Sequence, residues 1–136
     1  MAKKQLKFVG HNVLRVDGIE KVTGKAKFTG DLKIPGMLYG RILRSPYPHA
    51  RIVSIDTSQA EALPGVAAVL TAADISDVDP YYSGRPVIAI KKVRYAGEPV
   101  AAVAAEDQET AEEALSLISV SYEELPAAVG LDAALR

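Results

Sequence analysis

The chain has 136 residues, of which 49% are hydrophobic and 24% charged, a balance typical of one globular domain with its own core. The formal net charge is −1, which gives no general attraction for nucleic acid or an acidic membrane, and we predict neither as a partner. Cysteine is absent, which excludes disulfides, thiolate-held zinc and any iron–sulfur cluster ligated within the chain.

The N-terminal segment is predicted to be an extended arm over residues 1–17. Glycines recur among polar residues as far as Lys27, a pattern typical of turns and not of a regular element. The segment lacks the apolar stretch of a signal peptide, and no later segment has about 18 consecutive apolar residues. We therefore expect a soluble, cytoplasmic protein whose folded domain occupies residues 18–136.

Two predicted strands, at residues 38–44 and 50–56, flank a corner that contains two prolines. The corner is the segment SPYPH at residues 45–49. Each proline fixes its own φ and removes a backbone donor, so the corner is stiff and cannot join a sheet ladder. An exposed corner with an aromatic ring and a histidine is either a recognition surface or an architectural turn, and residue chemistry alone favours the turn.

The next predicted unit is strand, short helix, strand. Residues 56–58 are all suitable N-caps for a helix over residues 59–63. Proline and glycine at positions 64 and 65 end that helix. A strand at residues 67–71 follows, and residues 72–83 are predicted to be an irregular loop with acidic side chains and two tyrosines.

A second unit repeats this order more clearly. Residues 99–105 are an uninterrupted run of small apolar residues, which predicts a strand covered on both faces. Asp107 is the predicted N-cap of a helix over residues 108–117, and residues 118–123 alternate as in a half-buried strand. A crossover of this length suits a parallel or mixed sheet, so we predict an α/β (α+β) domain with a mixed sheet and two short helices. The apolar stripe of the helix is formed by four residues at helical spacing: Ala111, Ala114, Leu115 and Ile118.

The residue types that carry chemistry do not combine into a known catalytic or metal-binding motif. The two histidines, His11 and His49, are far apart, and neither has a second metal ligand at helical spacing. Gly24 and Lys25 do not complete a phosphate-binding loop, and no serine lies in a nucleophile elbow. We therefore predict no catalytic, cofactor-binding or metal-binding residue in this chain.

Two groups of acidic residues admit a functional and a structural interpretation. Asp74, Asp77 and Asp79 could hold a cation, but they lack the central glycine and final glutamate of a calcium loop, which favours a solvated loop. Glu98 is either a buried catalytic acid or a turn carboxylate that pairs with Arg94 or a backbone amide. The turn carboxylate requires fewer assumptions.

Arg41 and Arg44 are the best candidates for contact with an anion, because a guanidinium binds phosphate or carboxylate through a planar fork. Their spacing of three places them on opposite faces of a strand unless a bulge intervenes. A surface salt bridge is therefore predicted for at least one of them.

Two long segments resemble one protein family. GMLYGRILRSPYPHARIVSID, at residues 36–56, is followed by ALPGVAAVLTAADI and resembles the opening of the molybdenum-binding subunit of the xanthine dehydrogenase and aldehyde oxidase family. VRYAGEPVAAVAAEDQETAEEAL, at residues 93–115, resembles the same family further on. The resemblance extends from about Gly18 to Leu135. It implies the single α/β-hammerhead domain that begins that subunit.

The resemblance also implies a role within a larger oxidoreductase. In the family, the pterin-binding loops and the catalytic base belong to domains C-terminal to the hammerhead, so no catalytic residue is carried onto this chain. The complete enzyme is expected to contain molybdopterin with molybdenum, iron–sulfur clusters and FAD. The expected partners are the C-terminal molybdenum-binding domains, an iron–sulfur subunit and a flavin subunit. We expect a scaffold and interface domain, with three candidate interface residues: Arg44, Tyr47 and His49.

Two other functions are compatible with the sequence. One is a stand-alone binding or assembly module with the same fold, and the other is a small independent enzyme, which the missing motifs disfavour. Continuation of the reading frame, or of an adjacent frame, into molybdopterin-binding loops would separate the interface domain from the stand-alone module.

Overall fold

The computed structural model describes residues 10–75, 81–82 and 85–135 of the chain. Contacts divide the chain into two compact units, Met1–Pro35 and Gly36–Arg136. The described part of the first unit contains helix α1 (Gly18–Val22) and a 3-10 turn (Thr29–Asp31).

Helix α1 departs from the prediction of turns without a regular element as far as Lys27. An ion pair spans the helix start, with 2.6 Å between the Lys21 Nζ and an Asp17 carboxylate oxygen at i,i+4 spacing. The Thr23 hydroxyl donates to the Ile19 carbonyl at 2.7 Å at the other end. These short-range contacts explain a single helical turn in a glycine-containing segment.

In the second unit, each strand and helix that the sequence predicts is present, with bounds that agree to within two residues. The strands are β1 (Tyr39–Arg44), β2 (Ala50–Asp56), β3 (Val66–Thr71), β4 (Tyr81–Tyr82), β5 (Arg85–Pro86), β6 (Lys92–Val93), β7 (Pro99–Ala105) and β8 (Ser119–Glu124). The helices are α2 (Ser58–Glu61), α3 (Gln108–Leu117) and α4 (Leu131–Ala134). The short strands β4, β5 and β6 are additions to the predicted set, and β4 lies within the segment predicted to be an irregular loop.

The strands that the structure describes form two three-stranded sheets and one two-stranded ribbon of β4 and β5. Sheet A has the order β1-β7-β3 and sheet B the order β6-β2-β8, and each described pair is antiparallel. The α/β (α+β) class is confirmed, but the predicted mixed sheet is wrong. A helical crossover joins parallel strands only when both strands belong to one sheet, and α3 instead carries the chain from sheet A to sheet B.

The first hydrophobic cluster lies between sheet A and the helices α2 and α3. Ala60 of α2 and Ala114 of α3 are fully buried, and with Ile118 they pack against Ala101 and Val103 of β7. Alanine at these positions allows the helices to approach the sheet closely. The predicted stripe therefore faces the sheet, although Leu115 lies at its margin and is half-buried.

The N-cap predicted for α3 is confirmed. Asp107 accepts a hydrogen bond from the backbone N–H of Thr110 at 2.8 Å and a second from its hydroxyl at 2.9 Å. These bonds favour the charged carboxylate and hold the pKa of Asp107 below its ordinary value.

Candidate interface at the corner between the sheets

Residues 45–49 form the corner at which the chain leaves β1 of sheet A and enters β2 of sheet B. Ser45 is 3% exposed and holds this corner in place. Its N–H donates to the Glu98 carbonyl at 2.9 Å, and its carbonyl accepts from the Gly97 N–H at 2.8 Å. Its hydroxyl accepts from the Tyr47 N–H at 3.0 Å. The corner is thus fixed by hydrogen bonds as well as by its prolines.

The turn that supports the corner is held by Glu98, which is 2% exposed. One Glu98 carboxylate oxygen accepts from the Arg94 N–H at 2.5 Å, and the other lies 3.7 Å from the Arg94 guanidinium. Gly97 supplies the left-handed conformation of this turn at φ +90°. The prediction of a turn carboxylate that pairs with Arg94 or a backbone amide is confirmed, and Glu98 makes both contacts.

Tyr47 packs inward, onto the second hydrophobic cluster of the domain. Its ring meets Tyr122 of β8 edge to face, with 5.2 Å between the ring centroids and 60° between the planes. The cluster beneath contains four buried residues: Ala50, Ala89, Val93 and Val100. Burial raises the pKa of Tyr122, although a hydrogen bond with Ser45 opposes this effect. Tyr47 is therefore half-buried and supports the corner from within.

His49 is also half-buried and is tied to the segment after β8. Its Nδ1 lies 2.7 Å from the Pro126 carbonyl, and its own carbonyl accepts from the Leu125 N–H at 3.0 Å. Because a carbonyl can only accept, the hydrogen of the neutral ring lies on Nδ1, which leaves Nε2 as an acceptor. The ring borders a cleft of about 480 Å³ that Arg94 and Tyr95 also line.

The two candidate arginines have separate environments. Arg41 contacts Glu112 of α3, with 2.9 Å between a guanidinium nitrogen and a carboxylate oxygen, which is the predicted surface salt bridge and lowers the pKa of Glu112. Arg44 is exposed and donates to the Gly97 carbonyl at 2.9 Å. The strand register shifts between Leu43 and Arg44, so a bulge directs Arg44 toward the corner.

The structure places Arg44, Tyr47 and His49 around one corner, and their role in an interface stays a prediction. Sequence reasoning did not identify Ser45 as the hub of the hydrogen bonds or Tyr95 as a lining residue of the cleft. A serine before proline is a recognised turn former, which was an available signal for Ser45. Tyr95 comes to the cleft through the pairing of distant segments, for which a single sequence carries no signal.

No group of three or more histidine or acidic side chains able to hold a metal ion occurs within the described ranges. Asp74, one of the three aspartates considered, instead accepts from the Thr71 N–H at 2.7 Å and the Thr71 hydroxyl at 2.8 Å. Asp77 and Asp79 lie outside the described residues. Of the ionisable residues that line the cleft, Arg94 pairs with Glu98 and His49 bonds a carbonyl. These described groups do not provide a set of metal ligands.

None of the helices in the described residues is long and apolar enough to cross a membrane.

Residues 23–126 match the family model described as "Aldehyde oxidase and xanthine dehydrogenase, a/b hammerhead domain". A probable xanthine dehydrogenase subunit of Bacillus subtilis is 48% identical over 126 residues, which cover 90% of this chain and 17% of that protein. The carbon monoxide dehydrogenase large chain of Afipia carboxidovorans is 43% identical over 132 residues, which cover 93% of this chain and 16% of that protein. This chain therefore spans about one sixth of these relatives.

Solved structures show the same similarity. Quinoline 2-oxidoreductase from Pseudomonas putida 86 superposes with a TM-score of 0.88 at 42% identity, over 93% of this chain and 17% of that chain. The reconstituted CO dehydrogenase from Oligotropha carboxidovorans superposes with a TM-score of 0.84 at 45% identity, over 89% of this chain and 16% of that chain.

Proposed function

Since the chain belongs to the aldehyde oxidase and xanthine dehydrogenase family, as its α/β-hammerhead domain, we propose that it is a scaffold and interface domain of a molybdopterin-dependent oxidoreductase, without a catalytic centre of its own. One observation carries this proposal. The polar groups of the corner are engaged in holding the fold, because Ser45, Glu98 and His49 all bond to the backbone of neighbouring segments.

The proposed interface is the corner with Arg44, Tyr47 and His49. A surface that is already rigid loses little conformational entropy when a partner docks on it. Arg44 is exposed, and one of its guanidinium nitrogens bonds the Gly97 carbonyl, which orients the group for a partner's carboxylate or carbonyl. In this arrangement Tyr47 positions the corner, whereas Arg44 and the Nε2 of His49 make the contacts.

The proposed partners are the molybdenum-binding domains of the large subunit, an iron–sulfur subunit and a flavin subunit, in the cytoplasm. Molybdopterin with molybdenum, iron–sulfur clusters and FAD would be held by those parts of the complete enzyme. Two findings support this proposal: the chain spans only 17% of the Bacillus subtilis relative, and a structural relative is a Cu,Mo-CO dehydrogenase.

The test measures binding of this chain to the remainder of the Bacillus subtilis relative, produced without the segment that matches this chain. We expect a complex at micromolar concentrations. Arg44→Ala should weaken it about tenfold or more without a matching loss of domain stability, because Arg44 is exposed. His49→Ala should weaken it and also lower domain stability, because it removes the bond to the Pro126 carbonyl. Arg51→Ala, a change at an exposed position of β2, is the matched control and should bind like the wild type.

Tyr47→Ala should lower both stability and binding, since the ring packs on Tyr122. Failure of the unchanged chain to bind would contradict the proposed function and favour a stand-alone module. Corner variants that bind as tightly as the wild type would contradict the assignment of the interface to this corner.

A further inference from the structure

The strands of sheet A present one face to the helices α2 and α3 and a second face that no described helix or strand of the second unit covers. Leu43 of β1, Val103 of β7 and Val69 of β3 belong to the cluster beneath α2 and α3. Side chains alternate along a strand, so their neighbours lie on the opposite face. The register places those neighbours in two rows across the sheet, Ile42-Ala102-Leu70 and Gly40-Ala104-Ala68. We call these six residues the open face.

The open face contains only apolar residues and glycine. Ile42 is 46% exposed and Leu70 is 43% exposed, and both lie on the outer strands of the sheet. The central strand places Ala102 between them, so the row has a small side chain between two larger ones. The second row contains glycine and two alanines. The result is a shallow apolar trough.

Sheet B shows what a solvated face looks like in the same domain. Its exposed residues include Arg51, Lys92 and Glu123, and Arg51 pairs with Glu123 at 3.3 Å. An antiparallel sheet with one face in water alternates apolar and polar residues, and sheet B follows this rule except at Val53, which lies at the irregularity of β2. Sheet A does not follow it, because its open face is apolar as well as the cluster beneath α2 and α3. An apolar face of this kind marks a contact with another layer of protein.

We propose that the open face is the docking surface for the remainder of the molybdenum-binding large subunit, which contributes uncharged, apolar side chains to the trough. This inference rests on the proposed function and adds a second, chemically different contact to the corner. The matched segment is 17% and 16% of the two curated relatives, so most of such a polypeptide lies outside it and is available to cover the face. A charged partner surface would lose hydration here without gaining an ion pair.

The experiment uses the same binding assay, with a carboxylate introduced into the open face. Ile42→Glu and Ala68→Glu should each weaken binding to the remainder of the Bacillus subtilis relative at least about tenfold. Ala68 is exposed, so its replacement removes no packing within the domain and keeps the test valid if Ile42→Glu unfolds. The control is Val53→Glu, an equal change at a 63% exposed position of sheet B, which should change binding less than about twofold.

Salt distinguishes the two surfaces. A contact made by the open face contains no ion pair, so the ratio of wild-type to Ile42→Glu affinity should remain large at about 0.5 M NaCl. The ratio of wild-type to Arg44→Ala affinity should instead decrease, because salt screens the charge of Arg44.

The outcomes separate this inference from the proposed function. Binding by the wild type that is unaffected by Ile42→Glu and Ala68→Glu, but weakened by Arg44→Ala, would overturn the open-face assignment alone. Absence of binding by every form of the chain would overturn both. A dimer of the chain that Ala68→Glu dissociates, with binding to the large subunit unchanged, would assign the face to a second copy and overturn the inference.

Discussion

Asp107 shows how a single carboxylate determines where a helix begins. It accepts both hydrogen bonds that Thr110 offers, and it was identifiable from the sequence because an aspartate directly precedes an amphipathic run. Glu98 was identifiable for a similar local reason, since Arg94 lies four residues before it. Ser45 differs, because its backbone partners are Gly97 and Glu98, which are distant in the sequence, and such pairing has no local signal.

The cap predicts a pH dependence of stability. The folded pKa of Asp107 is lowered by its bonds to Thr110, so its contribution is complete above the unfolded-state pKa of about 4 and is lost as pH falls through the lowered folded value. Asp107→Asn keeps a cap acceptor but does not titrate. In thermal unfolding, the wild type should lose stability relative to Asp107→Asn as the pH falls from about 5 to about 2.

Asp107→Ala is the companion variant. It removes the acceptor and should lower the unfolding midpoint at neutral pH by about 2–4 °C. If the difference in unfolding midpoint between the wild type and Asp107→Asn stayed constant across this pH range, protonation of the Asp107 carboxylate would not weaken the cap.

At the scale of elements, helix α3 is the best-predicted part of the fold. Its bounds, cap and buried stripe all follow from a 3.6-residue pattern, which is local information. The sheets were predicted less well. The strand positions follow from composition, but β7 and β8 belong to different sheets because of long-range pairing with β1, β3 and β2. A helix between two strands led to the prediction of a mixed sheet. That sheet does not form, because α3 joins strands of two different sheets.

The margin of α3 allows a quantitative test. Leu115→Ala should lower the free energy of unfolding by about 1–2 kcal/mol, below the usual range for a fully buried leucine, because this side chain is only half-buried. Glu112→Ala, on the exposed side of the same helix, should cost clearly less, since its contact with Arg41 is a surface ion pair. Denaturant titration compares the two variants. Equal losses would mean that the packed face of the helix is misassigned.

In the molecule as a whole, the corner explains why the domain carries a rigid proline segment. Residues 45–49 are the point at which the chain changes sheets, and the turn of Arg94–Glu98 fastens them from the other side. The family resemblance and the candidate residues at this corner came from the sequence. The open face of sheet A did not, because its six residues lie on three strands whose register only the fold provides.

We propose that this domain takes part in a molybdenum enzyme without a catalytic centre of its own. The most direct measurement is the molybdenum, iron and flavin content of the purified chain after expression in a host that makes the molybdopterin cofactor. With no cysteine in the chain, and no cluster of metal ligands in the described residues, we predict none of the three above trace levels. Stoichiometric molybdenum, or the visible absorption of an iron–sulfur cluster or a flavin, would contradict it.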